Sequence, residues 1–463
     1  MSADRRAAPA PRALYRALPD AGSLTPFGQE IEAGNPSGWP GYEDQVRRAR
    51  DASGARHAVT TGLATIAGEP CVLAGFEFPF LGGSMGVAEG TRIARAFAEA
   101  TAQRLPIVSV AASGGSRMQE GTSALVQMQV VAAAVAAARR AGIPHIAVAG
   151  DPTTGGVWSS LIASADVLVG VPGARVSFSG SRTRPAGADP GSAEFLADGK
   201  WARGFVDALC PEHELRARVA AIAALLAPRS RGDTAVPAPV PAWPAGPAAG
   251  PEEDPGRDAW AQVAGARRPA GTRADHWLAG YFGPTFEIRG DRCGGVDPGL
   301  RCGFGRRDGA TIAYVAQTGR PTTAAGFRTA TRLLTLAARF GRPVLTLIDT
   351  PGAAAAPAEE AAGVGPAIAE LFVAIASCPV PITSVVIGEG VSGGALALAS
   401  PTDLWLARDG YLAVTAPELA ASILKLPASA VPEVAARLRL TPAELLSRGI
   451  IRGIVGPPAA SAG

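Results

Sequence analysis

The chain has 463 residues, of which 47% are apolar and 18% charged, with 57 Gly and 40 Pro. That length exceeds one ordinary core, and the composition fits a globular α/β protein of two or three domains rather than a disordered chain. A formal net charge of +3 is nearly balanced, which argues against nucleic acid or any other polyanionic partner.

The first residues, MSADRRAAPAPRALYRALPD, hold no apolar leader core. No run approaches the roughly 20 uninterrupted apolar residues of a membrane span. The expectation is a cytoplasmic protein without membrane association. Residues 1–34 read as an N-terminal extension, and a first domain spans 35–226. In it "FEFPFLGGSMG" leads into a helical stretch, "GTRIARAFAEATAQ", and then a strand, "LPIVSVAAS". A Gly turn, "SGGSRMQEG", opens a small-residue packing helix, "VQMQVVAAAVAAARR". The stretch 146–170, "IAVAGDPTTGGVWSSLIASADVLVG", reads as strand, Gly-Gly turn, short helix and strand.

Residues 227–254 are Pro/Ala-rich without periodicity and read as a semi-extended linker. The second domain, 255–463, repeats the order of the first. "YVAQTGRPTTAAGF" leads into "RTATRLLTLAARFG", then the strand "RPVLTLIDT" and the turn "PGAAAAPAEE". Residues 382–407, "ITSVVIGEGVSGGALALASPTDLWLA", match 146–170, and "GIIRGIVGPP" closes this half as "GFVDALCPEHEL" closes the other. Alternating helices and short β runs predict β-α crossovers. The period is far too long for a solenoid, so duplication of one catalytic fold, or fusion of two paralogous subunits, accounts for it.

A glycine between strand and helix lets a ligand approach the backbone, and the first amides of a helix have no internal acceptor. Such a turn can hold a developing oxyanion. The candidates are Gly155 and Gly156 in the first half and Gly393 and Gly394 in the second; tight helix-on-sheet packing is the alternative for either pair. Other chemistries fit less well. "GGSMG" and "GVSGG" match G-x-S-x-G, but no His follows Ser392, and none near Ser84 completes a triad. "GEGVSGG" satisfies G-x-G-x-x-G, yet the next strand follows too soon for a dinucleotide-binding unit. His57, His145, His213 and His276 lie apart, so no metal is expected. Cys71, Cys210, Cys293, Cys302 and Cys378 form no C-x-x-C and no disulfide framework, which fits a reducing compartment.

Several long segments resemble a known family. "NPSGWPGYEDQVRRAR", "FLGGSMGVAEGTRIARAFAEA", "ASGGSRMQEG" and "DPTTGGV" are similar to the β subunit of bacterial acetyl-CoA carboxylase carboxyltransferase. "FEIRGDR", "IDTPGA", "VIGEGVSGGALALA" and "APELAASILK" are similar to its α subunit. The resemblance covers nearly all of 35–225 and about 255–457, as in a β–α fusion.

It implies two tandem crotonase-like (ββα-spiral) α/β domains, a homo-oligomer, and an active site between N- and C-terminal domains of opposite protomers. It also implies transfer of a carboxyl group between carboxybiotin and acetyl-CoA or a related short acyl-CoA. One Gly pair would stabilise the acyl-CoA enolate and the other the biotin ureido oxyanion. Gly114, Gly115, Gly82, Gly83 and Gly352 would line the substrate cleft. Arg117 is the candidate for the CoA phosphates, its alternative being a bridge to Glu120. The chain shows no A-M-K-M biotinylation segment, so a separate biotin carboxylase and biotin carboxyl carrier protein are implied.

The departures are specific. No cysteine precedes Cys71, where the β family carries a zinc ribbon. "DTPGAAAAPAEE" lacks the family's aromatic and second Gly, Thr318 replaces a Lys, and "AAGFR" (324–328) replaces P-E-G-Y-R. Two alternatives stay open on sequence alone: a biotin-independent decarboxylase of a malonyl thioester, and a non-catalytic partner of a carboxyltransferase.

Overall fold

The computed structural model describes residues 13–180, 189, 191–228, 237–242, 258–267 and 273–456. The chain forms two compact units, Met1–Gly232 and Asp233–Gly463, divided inside the Pro/Ala-rich segment, most of which lies outside the described residues.

The first unit is built on strands β1 (Thr25–Phe27), β2 (Val59–Ile66), β3 (Glu69–Phe76), β4 (Ile107–Ser113), β5 (His145–Thr154), β6 (Val167–Gly170), β7 (Val176–Ser177) and β8 (Ala208–Leu209). They make one sheet in the order β1-β2-β3-β4-β5-β6-β8, with β7 beside the far end of β5. β1, β2 and β3 pair antiparallel, and β3 through β6 and β8 run parallel. β4, IVSVAAS, is buried along its whole length, as a central parallel strand requires. The helices are α1 (Tyr42–Ser53), α2 (Val87–Gln103), α3 (Gly121–Arg140), α4 (Gly155–Val157), α5 (Ala197–Ala202) and α6 (Leu215–Leu226). Ile93, Ala96, Phe97 and Ala100 of α2 join Val131, Val135 and Ala138 of α3 in one core cluster with β3, β4 and β5.

The second unit repeats this plan. Its strands are β9 (Thr285–Ile288), β10 (Leu300–Arg307), β11 (Ala310–Gln317), β12 (Val344–Thr350), β13 (Ile382–Val391), β14 (Leu404–Ala407), β15 (Tyr411–Ala413) and β16 (Gly453–Val455). They are ordered β16-β14-β13-β12-β11-β10-β9, with β15 beside β13. The helices used below are α7 (Ala259–Ala266), α8 (Arg273–Tyr281), α9 (Ala324–Phe340), α10 (Pro357–Ala361), α11 (Val364–Ala376) and α12 (Ser392–Leu396).

From α2 to β6 the two units keep one offset of 237 positions: Val87 stands against Ala324, Ile107 against Val344, His145 against Ile382 and Val167 against Leu404. The hairpins β2–β3 and β10–β11 are instead 241 positions apart, with Val59 against Leu300 and Glu69 against Ala310. The first unit therefore has a longer connection from β3 to α2, and it is this connection that carries Gly82 and Gly83.

One expectation changes. Residues 13–34 are not a separate extension but part of the first unit. β1 pairs with β2, and Tyr15 is buried, its ring filling the space over Gly75, where a Cβ would fall 2.1 Å from Tyr15 Cγ. Tyr15 Oη donates to Glu77 Oε1 at 2.5 Å, and burial above all pushes that hydroxyl up to about 12. Among the described residues, Met118–Arg140 is long and apolar enough to cross a membrane by length and composition alone, at mean hydropathy 1.5. One of its faces packs on α2, while Leu125, Val126 and Val130 lie exposed.

Replacing Tyr15 by Ala removes both the ring and the hydroxyl from this site. A loss of about 3–5 kcal/mol is expected, read as a lower melting temperature of the first unit; an unchanged melting temperature would show the segment to be dispensable.

Candidate active site

In the first unit two turns meet at the ends of neighbouring parallel strands. β4 ends at Ser113 and turns through Gly114, Gly115 and Ser116. Gly114 N donates to Gly82 O at 2.9 Å, and Gly115 N donates to Ser113 Oγ at 3.1 Å. Met85 N donates to Gly115 O at 2.8 Å and Arg117 N to Met85 O at 2.9 Å. Among the described residues, every amide of the turn is thus bonded except that of Ser116. β5 ends at Thr154, whose hydroxyl donates to Ser113 O at 3.2 Å, and Gly155 N donates to Phe178 O at 3.1 Å. The next amide, Gly156, lies in the first turn of α4 and has no acceptor among the described residues.

The two turns touch. A Cβ on Gly155 would lie 3.2 Å from Gly115 Cα, and one on Gly115 would lie 3.7 Å from Gly156 N. Gly115 (φ +105°) and Gly155 (φ +61°) both occupy backbone conformations that favour glycine. Gly83, at φ +60°, runs so near the end of β4 that a Cβ would fall 2.1 Å from Ala112 O.

The second unit builds the same corner. β12 ends at Thr350, and Gly352 (φ +128°) donates its N–H to Thr350 Oγ1 at 3.1 Å. Thr322 N donates to Gly352 O at 3.1 Å and Ala354 N to Thr322 O at 2.8 Å, which leaves the Ala353 amide. β13 then ends at Val391, and α12 begins with Ser392 at φ +64°. The amide of Gly393 has no acceptor among the described residues.

This register moves the pair expected from sequence by one residue. The counterparts of Gly155 and Gly156 are Ser392 and Gly393. A Cβ on Gly393 would meet nothing within 4 Å, whereas one on Gly394 would fall 2.3 Å from Ala353 N. Gly394 is therefore a packing position that lets α12 lie against the Gly352–Ala353 turn. A Cβ at 155 would crowd Gly115 at 3.2 Å, whereas the second corner is wide enough for the Ser392 Cβ, 4.0 Å from where one would stand on Gly352.

Arg117 is a correction. Expected near substrate phosphates, it is 1% exposed. Its guanidinium stands 3.0 Å from Glu89 Oε1 and 3.2 Å from Glu120 Oε1, and donates to Ser84 O at 2.5 Å and Tyr42 Oη at 3.2 Å. Burial alone would weaken its charge; the carboxylates and Tyr42 outweigh this and hold it more firmly protonated. Glu89 in turn accepts from Gly86 N at 3.0 Å and Glu120 from Val87 N at 2.7 Å, so the cluster fixes the start of α2 beside the Ser116 turn.

Beneath the second corner, Asp349 accepts from Glu389 N at 2.9 Å and from Arg273 Nη1 at 3.1 Å. Burial pushes its carboxyl up to about 6, against the pull of Arg273. Among the described residues no three His, Cys, Asp or Glu side chains gather as metal ligands.

Sequence reasoning pointed to the glycines of both corners and did not single out Ser116, Ala353 or Ser392. The available signal was position: "SGGS" and "TPGA" stand at equivalent strand ends, and the residue after the positive-φ glycine carries the open amide.

Arg117→Met would leave Glu89 and Glu120 buried without a counter-charge. A stability loss of about 3–5 kcal/mol in denaturant unfolding is expected. A phosphate-binding Arg117 would instead raise the KM for acyl-CoA with stability unchanged.

Two family models match the chain: a carboxyl transferase domain over residues 20–183 and an acetyl co-enzyme A carboxylase carboxyltransferase-like model over residues 257–463. The acetyl-coenzyme A carboxylase carboxyl transferase subunits beta/alpha of Salinispora arenicola are 38% identical, across 96% of this chain and 82% of that protein. Transcarboxylase 12S, solved as a hexamer with hydrolysed methylmalonyl-coenzyme A bound, superposes with a TM-score of 0.76 at 20% identity, covering 96% of this chain and 86% of that one. A single-chain, multi-domain long-chain acyl-CoA carboxylase gives a TM-score of 0.74 at 19% identity, over 96% of this chain and 44% of that one. The two units have the crotonase-like fold expected from the sequence.

Proposed function

The chain belongs to the acetyl-CoA carboxylase carboxyltransferase β/α family, and from that premise we propose that it moves a carboxyl group between biotin and a short acyl-CoA such as acetyl-CoA. The observation that carries this reading is the pair of open amides in each unit, Ser116 with Gly156 and Ala353 with Gly393.

Forming a nucleophile at the α-carbon of a thioester places negative charge on the thioester oxygen. Two fixed backbone N–H groups stabilise that charge with no reorganisation at the moment of reaction. We assign this task to Ser116 and Gly156. Biotin, supplied by a carrier protein, brings the carboxyl group and has an amide-like ureido oxygen that the same kind of donor pair suits. Ala353 and Gly393 fit that oxygen: their amides are open and the space before Gly393 is clear. Gly114, Gly115, Gly82, Gly83 and Gly352 shape and brace these corners through their carbonyls and amides rather than through side chains.

The relatives do not favour the biotin-independent decarboxylase or the non-catalytic partner. The finer part of the reading is a separate biotin carboxylase and biotin carboxyl carrier protein as partners, a homo-oligomer and a cytoplasmic location. The hexamer of transcarboxylase 12S and the exposed apolar face of α3 support the oligomer.

Gly156→Val and Gly393→Val test the assignment, because neither glycine has positive φ. Gly393 has free space in front of it, and the atoms nearest a Cβ on Gly156 belong to the Met128 and Ser116 side chains rather than to backbone. Each variant should fold yet lose ~100- to 1,000-fold in transfer of labelled carboxyl from malonyl-CoA to free biotin. Gly394→Ala should instead lower the melting temperature, since its Cβ meets the Ala353 backbone. Full transfer activity in both Val variants would leave the turns as packing devices only.

A further inference from the structure

The open amides depend on two buried hydroxyls that the reaction does not use. Ser113 closes β4 and Thr350 closes β12, and both are fully buried. Ser113 Oγ accepts the Gly115 N–H at 3.1 Å and donates to Gly83 O at 2.7 Å. Thr350 Oγ1 accepts the Gly352 N–H at 3.1 Å and stands 2.8 Å from both Arg320 O and Gly352 O.

A hydroxyl offers one donor and two acceptor positions, so it can bind an amide on one side and a carbonyl on the other. In each unit the amide it binds belongs to the positive-φ glycine. In the first unit the carbonyl, Gly83 O, lies on the connection from β3 to α2; in the second, Arg320 O lies on the connection from β11 to α9. Two effects follow. The glycine N–H is held inside the turn, and the following amide, Ser116 or Ala353, is the one left without an acceptor among the described residues. The turn is also pinned to the neighbouring connection, which stops it rotating about the glycine, a residue that would otherwise sample many conformations.

The chain holds its own control for this arrangement. Serine serves in one unit and threonine in the other at the same position, so the shared element is the hydroxyl and not the methyl. An alanine or valine there would leave a buried glycine amide without a partner, and a buried donor without a partner drives a local rearrangement.

We propose that Ser113 and Thr350 are positioning residues, each holding one amide-bearing turn in the form that receives its ligand: Ser113 for the acyl thioester and Thr350 for biotin. The inference rests on the carboxyltransferase reading above.

The test uses the full chain and the variants Ser113→Ala, Thr350→Val, Ser113→Thr and Thr350→Ser. Acetyl-CoA and free biotin are titrated separately by calorimetry, and labelled carboxyl transfer from malonyl-CoA to free biotin is followed alongside. Ser113→Ala should weaken acetyl-CoA about tenfold, the order set by one displaced hydrogen bond, and leave biotin within about twofold. Thr350→Val should do the reverse. Transfer should fall by up to ~100-fold in both, as expected for misplaced groups, and return in Ser113→Thr and Thr350→Ser. Equal weakening of both ligands by each variant, unchanged affinities, or no recovery with the exchanged hydroxyl would overturn the proposal. Absence of carboxyl transfer by the unaltered chain would instead overturn the reading on which it stands, and the proposal with it.

Discussion

A backbone amide without an acceptor is rare in a folded protein, because a donor withdrawn from water and left unpaired is costly. In each unit two adjacent turns carry an amide with no acceptor among the described residues, Ser116 with Gly156 and Ala353 with Gly393, beside the glycine amides at 115 and 352, which are bonded inside their own turns. That constraint explains the residues around them. The strand ends must be parallel neighbours so that two turns meet. The turns need glycine where the backbone enters positive φ. The connections before α2 and α9 must lie close enough to supply Met85 and Thr322 as bridges to Ser116 and Ala353.

The duplication shows what the arrangement requires and what it tolerates. The strand and turn spacing from α2 to α4 recurs from α9 to α12 with no net insertion between β4 and β5 relative to β12 and β13, although the single helix α3 stands where the second unit has α10 and α11. Around that fixed spacing the support differs. The first unit braces its turn with a fully buried Arg117 between Glu89 and Glu120. The second ties its corner through Asp349 and Arg273, with Glu359 accepting the Ala324 amide at the start of α9. The first corner is tight against a side chain at 155, while the second accepts Ser392 at φ +64°. Two different scaffolds thus present equivalent pairs of amides.

Much of the fold was legible because its signals are local and periodic. The buried runs of β4, β5, β12 and β13 stand out as continuous apolar segments, and the Gly turns after them mark where the chain reverses. The same reading misjudged what depends on distance along the chain. Tyr15 contacts Glu77 across 62 positions, so nothing near residue 15 announces that the segment is structural. Arg117 has Glu120 within one turn, but Glu89 and Ser84 reach it from elsewhere, and only their sum decides that it is buried. The donor amides were hidden for another reason: every residue but proline carries one, so Ser116 and Ala353 became visible only once all their neighbours' amides had been assigned partners.

An isotope-edited infrared spectrum of acetyl-CoA carrying a labelled thioester carbonyl reports directly on hydrogen bonding at that oxygen. Bound to the protein, the carbonyl stretch is expected at lower frequency than in water, and at its aqueous position in the Gly156→Val variant. An unshifted carbonyl in the unaltered protein, with acetyl-CoA bound, would contradict a role for the Ser116 and Gly156 amides in holding the thioester oxygen.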